Sequence, residues 1–385
     1  MDLAKSMSKS EALAVDGTTR ILHLTVDLEA GGAERALAGL VASDNGGRLA
    51  HRVFCLRKAG FFEATVRDAG VPIDVSPSLG GSYAALRRCI MEWRPHILHC
   101  WMYYANLLGR AVVFSIPRDL RPGLVWGIRC SDMDFSRHRL ALRVAVKLGG
   151  VLSSGVDAIV SNSFAGRRVH ETLGYASERF LVIENGFDSE RFRPRPDLRE
   201  EVRTALGIPS ERFASITVAR TDPMKDYPTL LSVTRACPDI VFVAAGKGTE
   251  NLQGPENFIG LGRRNDVEWL LHGFDVLTST SAYGEGMSNS IGEAMASGLP
   301  VVATACGDSE VMLSDEDGRS VAGIVRPPGD KEGLAAALRR LEKGSGHAKK
   351  MGCAGRKRVE KTYNAMTVAK RYRALYEGLR FGNHE

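Results

Sequence analysis

The 385-residue sequence predicts an α/β protein of two doubly wound domains in series, facing a cleft. Three observations predict it. Short apolar, β-branched runs alternate with segments of helical period along most of the chain, the pattern of a parallel sheet covered on both faces. That alternation occurs twice, on either side of the Pro- and Arg-rich stretch LVIENGFDSERFRPRPDLR. The length also exceeds the ~250–300 residues at which a single core stops growing.

Residues 1–18 contain MDLAKSMSKSEALAVDG, which lacks the apolar stretch of a secretory signal and reads as a flexible leader. The first domain is expected over 19–185. ILHLTVDL is its first strand, and Gly31-Gly32 precede a helix with Leu37, Leu40 and Val41 on one face. HRVFCL, VPIDVS, HILHCWMY, GLVWGIRCSD and DAIVSN continue the strands, with helices at 61–69, YAALRRCIMEWRP and SFAGRRVHETLGY between some of them. A linker is expected at 186–200, and a second domain over 201–365. There FASITVAR, IVFVAAGKG, NFIGLG, FDVLTSTS and PVVATACG alternate with PTLLSVTRACP, VEWLLHG and a helix near Lys331–Lys343. A final helix occupies 366–385, with Val368, Tyr372, Leu375 and Leu379 at helical spacing.

Composition narrows the class. With 44% hydrophobic and 25% charged residues, the chain is globular and not disordered. Seven cysteines are scattered without a CxxC pair, which fits reduced thiols in a cytoplasmic protein and no zinc site. No apolar run reaches the ~18–20 residues of a membrane helix. A net charge of +6 suits phosphates or acidic surfaces as partners, and no nucleic acid is expected.

The stretch SAYGEGMSNSIGEAMASGLP, Ser281–Pro300, concentrates the chemistry. A strand precedes it. Gly284-Glu285-Gly286 then puts a carboxylate where backbone can approach a ligand closely. Ser288-Asn289-Ser290 offers N-cap chemistry, and Gly298 with Pro300 ends the helix. Glu293 therefore stands about one turn in. Unpaired N–H groups at such a helix start bind phosphate, while the two carboxylates suit sugar hydroxyls.

Seven elements in order carry a resemblance. They are Gly31-Gly32-Ala33-Glu34-Arg35; Val160-Ser161-Asn162-Ser163; Asn185-Gly186-Phe187-Asp188; Val218-Ala219-Arg220 with Lys225; Ala245-Gly246-Lys247-Gly248; Leu261–Val267; and Glu285 with Glu293, spaced E-x7-E. From about residue 20 the chain resembles the GT-B glycosyltransferases, in detail glycosyltransferase family 4. The resemblance implies two Rossmann-like domains, the first for acceptor and the second for nucleotide sugar. It also implies a retaining transfer from a UDP- or GDP-linked sugar to a glycan or lipid-linked acceptor in surface polysaccharide synthesis. Arg220, Lys225 and Glu285 are the implied catalytic residues. Gly31, Gly32, Gly246, Gly262, Arg263, Ser288, Asn289 and Glu293 are the implied donor-binding ones. The physics fits, because a departing diphosphate gains charge that guanidinium and ammonium stabilise. Relatives place a histidine near the donor sugar in the region matching His99–Tyr104, which puts His99, Tyr103 and Tyr104 on the sugar or acceptor side. His99 reads equally as a core histidine.

No cofactor or metal is expected. Asp132-Met133-Asp134 has the Asp-x-Asp form that holds a cation in a different fold, but here it reads as a polar loop. A sugar-nucleotide epimerase and a non-catalytic sugar-nucleotide sensor are the other readings. Between Arg110 and Lys147, eight cations face three acids, with Phe114, Ile116, Phe135, Leu140 and Leu142 interleaved. That pattern predicts peripheral contact with an anionic membrane at its cytoplasmic face.

Overall fold

The computed structural model describes residues 17–382 apart from 30, 45–46, 133 and 138. The expected leader thus lies almost wholly outside the described residues, as does Met133.

The first sheet has seven strands, β1 (Thr19–Asp27), β2 (Leu49–Lys58), β3 (Ile73–Val75), β4 (Ile97–Trp101), β5 (Gly123–Ile128), β6 (Ala158–Ser161) and β7 (Phe180–Val182). Helices α1 (Gly32–Ser43), α2 (Glu63–Asp68), α3 (Ser82–Trp93), α4 (Tyr103–Phe114), α5 (Leu140–Leu152) and α6 (Phe164–Thr172) alternate with them. After α7 (Arg199–Leu206) the second sheet has six strands, β8 (Ala214–Val218), β9 (Val241–Ala245), β10 (Phe258–Gly260), β11 (Val276–Ser279), β12 (Val301–Thr304) and β13 (Gly323–Arg326). Its helices are α8 (Tyr227–Ala236), α9 (Val267–Leu270), α10 (Asn289–Ala296), α11 (Ser309–Leu313), α12 (Lys331–Lys343) and α13 (Ser345–Arg358), and α14 (Ala365–Gly382) closes the chain.

The strand orders are β3-β2-β1-β4-β5-β6-β7 and β10-β9-β8-β11-β12-β13, and the strand pairs in both are parallel. The apolar runs explain this. β4, β5 and β9 are buried along their whole length, as strands covered on both faces must be. Alternate residues feed separate clusters on opposite faces: Leu22, Leu98 and Trp126 on one side of the first sheet, Ile21, Ile97 and Val125 on the other. Each sheet reverses its winding once, between β1 and β4 and between β8 and β11. Ligands bind at such switch points, beyond the strand carboxyl ends.

The chain crosses between domains twice, and the crossings lie side by side. Phe187 N–H donates to the Tyr363 carbonyl at 2.8 Å, and Ala365 N–H donates to the Phe187 carbonyl at 2.9 Å. The segment read as a linker is therefore anchored, because Phe187 and Phe192 are buried in the core of the second domain. The final helix does not stay with the domain that precedes it. Val368, Ala369, Tyr372 and Tyr376 pack into the first domain, between α1, β1 and β4.

Candidate active site

The carboxyl ends of both sheets converge on a cleft of about 270 Å³. Of the residues expected to act, it brings together Gly32, Arg220, Lys225, Glu285, Ser288, Asn289 and Glu293. A larger open concavity of about 730 Å³ lies beside edge strand β13, between α11 and α13. It contains none of the expected residues and is not at a switch point, so the smaller cleft is the candidate site.

Local chain geometry aims the cations. After β8, the Asp222 carboxylate accepts from Met224 N–H at 3.1 Å and starts a tight turn ending at Lys225. Asp226 follows at φ 48° and caps α8 through Thr229 N–H at 3.2 Å. This reversal drives Lys225 inward, where its ammonium donates to Glu285 Oε1. Burial, and after it the nearby Arg220 charge, pulls the Lys225 ammonium down to about 8. Arg220 is 56% exposed and pairs with Asp222 at 3.0 Å.

The Glu285 loop is fixed from three sides. Ser281 Oγ donates to Glu285 Oε1 at 3.2 Å, and Ser131 Oγ of the first domain donates to the Glu285 carbonyl. Asp308 N–H donates to the Gly286 carbonyl at 2.9 Å. Gly307 sits at φ 60°, where a Cβ would fall 2.0 Å from the Glu285 carbonyl oxygen, so glycine is required there. Ser288 stands at the N-cap of α10 as expected. Its side chain, however, makes no capping bond and pairs with Ser290 Oγ at 3.2 Å instead. The α10 N-terminus therefore keeps its capacity to bind an anion.

The first domain supplies groups that sequence reasoning did not assign. Arg35, from the Gly31–Arg35 motif, reaches across to Glu293 Oε1 at 2.5 Å. Glu293 is 3% exposed, and burial raises its carboxyl above the usual range, with Arg35 opposing. Gly32 brings α1 so close that a Cβ would sit 3.8 Å from Asn289 Nδ2. Arg129, just beyond β5, lies 5.4 Å over the Trp101 ring and donates to Asn185 Oδ1. Asn185 in turn donates to Asn289 Oδ1 at 2.9 Å and to the Met287 carbonyl at 3.2 Å. The signal for Arg129 was its position after a parallel strand. For Arg35 it was the glycine motif itself. Four cations, Arg35, Arg129, Arg220 and Lys225, face two carboxylates, Glu285 and Glu293, a surplus of 4 − 2 = +2.

Other expected residues fall elsewhere. His99 has no accessible surface; its Nδ1 bonds Tyr376 Oη at 2.8 Å and its ring stacks on Trp101 with centroids 4.4 Å apart. Burial lowers it to about 3, and the ring is packed in the core of the first domain and does not line the cleft. Tyr103 is buried against His170 at 2.9 Å, and Tyr104 is exposed but does not line the cleft. The loop at the cleft is instead Arg129–Asp132, one strand further along the sheet. Gly31 lies next to the lining residue Gly32. Gly246 and Gly262 join neighbouring loops through a 2.8 Å backbone bond, outside the cavity. Arg263 lies 4.6 Å over the Phe61 ring of the opposite domain. The Asp132 and Asp134 carboxylates accept from backbone N–H groups of their own loop, at 2.9 and 3.0 Å.

One further bridge crosses the cleft. Buried Asp308 accepts from the first two N–H groups of α6, Phe164 at 2.6 Å and Ala165 at 2.9 Å. A carboxylate of the second domain thus serves a helix N-terminus of the first.

Comparison with known proteins accords with this geometry. Residues 30–191 match the family described as Glycosyltransferase Family 4, and residues 221–343 match Glycosyl transferases group 1. The D-inositol 3-phosphate glycosyltransferase of Mycobacterium marinum is 30% identical over 176 residues, covering 42% of this chain and 36% of that protein. A sulfoquinovosyl transferase of Arabidopsis thaliana is 29% identical over 212 residues, covering 53% and 41%. The chain thus spans less than half the length of these curated relatives. Anabaena HepE in complex with UDP-glucose superposes with a TM-score of 0.80 at 21% identity, over 93% of this chain and 99% of that one. A glycosyltransferase from Rickettsia africae superposes at 0.79 with 16% identity, over 94% and 99%.

Proposed function

This chain has the GT-B fold, its first half matching Glycosyltransferase Family 4 and its second half Glycosyl transferases group 1, and from that premise we propose that it is a retaining, metal-independent glycosyltransferase. Its donor is a UDP- or GDP-linked sugar, and its acceptor is a glycan or lipid-linked chain in surface polysaccharide synthesis. It works in the cytoplasm and needs no cofactor. The observation that carries the reading is the cleft itself, where four cations and an uncapped helix start surround two carboxylates. UDP-glucose bound to HepE supports a uridine donor.

In this mechanism the diphosphate lies against Arg220, Lys225 and the first turn of α10, with Arg129 and Arg35 closing from the other domain. Lys225 turns from Glu285 to the phosphate oxygens and stabilises the charge that grows as the C1–O bond breaks. Glu285 is then released to the donor sugar, where it accepts from a hydroxyl or steadies positive charge at C1. The acceptor oxygen forms its bond to C1 on the face the diphosphate leaves, and its proton passes to the departing phosphate oxygen. Glu293 shares its carboxylate between Arg35 and the ribose diol. Charge neutralisation by side chains is what removes the need for a metal ion.

The test is thermal shift with UDP and GDP, followed by sugar release from the matching nucleotide sugar. A ligand at 100 times its Kd adds roughly 2.7 kcal/mol. Release that requires an added acceptor supports transfer. Conversion to an epimeric sugar without one indicates an epimerase, and binding without turnover under any acceptor indicates a sensor. No shift with either nucleotide overturns the reading.

A further inference from the structure

Helix α5 leaves one face uncovered. Leu140 is 70% exposed, Val144 54%, Leu148 44% and Val151 77%. At 100° per residue these four fall within an arc of about 80°. The opposite face is buried through Ala145, Val146, Gly149 and Gly150, so the helix is seated in the domain with its outer stripe turned to solvent. Single exposed apolar residues are ordinary, but a continuous stripe marks an interaction surface.

The surroundings say what covers it. Arg143 and Lys147 stand along one edge of the stripe, held 6.0 and 5.5 Å over the Phe135 ring, and Arg139 is exposed at the helix start. At the other end, 53%-exposed Phe114 of α4 is packed under the Arg110 guanidinium at 3.9 Å and the Arg121 guanidinium at 5.1 Å. Arg110 also lies against Gly155, just past the α5 terminus, which places Phe114 at the end of the same stripe. Neither α4 nor α5 contains an acidic residue. Of the residues first read as interfacial, Phe114 and Leu140 face outward, whereas Ile116 is buried and Leu142 and Phe135 are half-buried; Val144, Leu148 and Val151 complete the outward set.

We propose that α5, together with Phe114, docks on a bilayer surface rich in anionic lipid. The apolar stripe enters the headgroup–acyl boundary while the flanking cations meet lipid phosphates. A second copy of the chain fits less well, because a two-fold contact through this stripe would bring two copies of the same cationic patch together with no acidic residue on α4 or α5 to neutralise them. The loop that carries Arg129 into the cleft runs on into α5, so docking would hold the first-domain wall of the cleft beside the lipid. The inference stands on this surface alone, whatever reaction the cleft performs.

The experiment is sedimentation of the full chain with vesicles of phosphatidylcholine, alone or mixed with phosphatidylglycerol, at low and high salt. Binding is expected only to the mixed vesicles and should weaken with salt. Arg139→Glu/Arg143→Glu/Lys147→Glu should weaken it at least ~100-fold, from the lost contribution of each cation near an anionic surface and the repulsion of the new carboxylates. Val144→Asp/Leu148→Asp should abolish it, with thermal melts and UDP response unchanged because all these side chains are outside the cleft and core. Val151→Trp should show a blue-shifted emission on mixed vesicles alone. Absent binding at low salt, equal binding to both vesicle types, or binding that survives both charge and apolar variants overturns the proposal. So does a solution dimer lost in Val144→Asp/Leu148→Asp without vesicle binding, which would assign the face to a second copy.

Discussion

Replacing Arg35 by alanine tests how the cleft is held. The substitution strips the partner from Glu293 Oε1, now 2.5 Å from the guanidinium, and leaves a carboxylate that is 3% exposed. Removing one partner of a fully buried pair costs about 3–5 kcal/mol. Arg35, however, is 39% exposed, so water already screens its end, and exposed pairs contribute only ~0–1 kcal/mol. The expected loss is therefore about 1–3 kcal/mol, or roughly 2–12 °C in Tm for domains of this size. Its pH dependence is the sharper check. Burial already raises the Glu293 carboxyl, and Arg35 is the largest influence opposing that rise. Without Arg35 the folded-state value climbs further above the unfolded one, so the folded variant binds the extra proton. Stability then falls as pH rises through the folded value and is regained below it. Unfolding of wild type, Arg35→Ala, Glu293→Gln and the double variant at pH 7.5 and pH 5 gives the cycle. The Arg35→Ala deficit should shrink at pH 5, and the double variant should match Glu293→Gln. A deficit below ~0.5 kcal/mol at pH 7.5, or one unchanged at pH 5, refutes the reasoning.

Glu293→Ala should weaken nucleotide-sugar binding in calorimetry, since a buried ribose diol would lose its acceptor, and unchanged affinity would remove that role. Lys225→Ala and Arg220→Ala should each lower turnover ~10²–10³-fold, the usual cost of losing one preorganised contact to developing charge. Chelators should leave that turnover intact; loss with EDTA and recovery with Mn²⁺ would point back to Asp132 and Asp134. Asp308→Ala orphans two N–H groups of α6 and should cost about 2–4 kcal/mol, with a more open solution scattering profile. His99 and His170 are held neutral by burial, at about 3 and about 4. Unfolded histidines protonate near 6.5, so the unfolded chain binds more protons below that pH. Stability should therefore drop by up to roughly 1.4 kcal/mol per pH unit per histidine from pH 6.5 towards 4, and a flat urea midpoint over that range would contradict it.

Alternation of strand and helix was legible throughout, because each parallel strand is a short apolar run and each covering helix a 3.6-residue stripe. The E-x7-E spacing likewise located Glu285 in a loop and Glu293 one turn into α10, since both positions follow from local chain geometry. Long-range partners at the cleft were not legible. Arg35 meets Glu293, Asp308 caps α6, and Arg129 reaches Asn185, yet each pair is far apart in sequence and leaves no periodic trace. His99 shows the same limit from the other side. Its sequence position suits either a ligand contact or a core, and the deciding group is Tyr376, on a helix that leaves the second domain and returns to the first. Burial of a side chain on one element is set by that element's own period. What lies opposite it depends on how two separately folded sheets are brought together, and only the tertiary structure decides that.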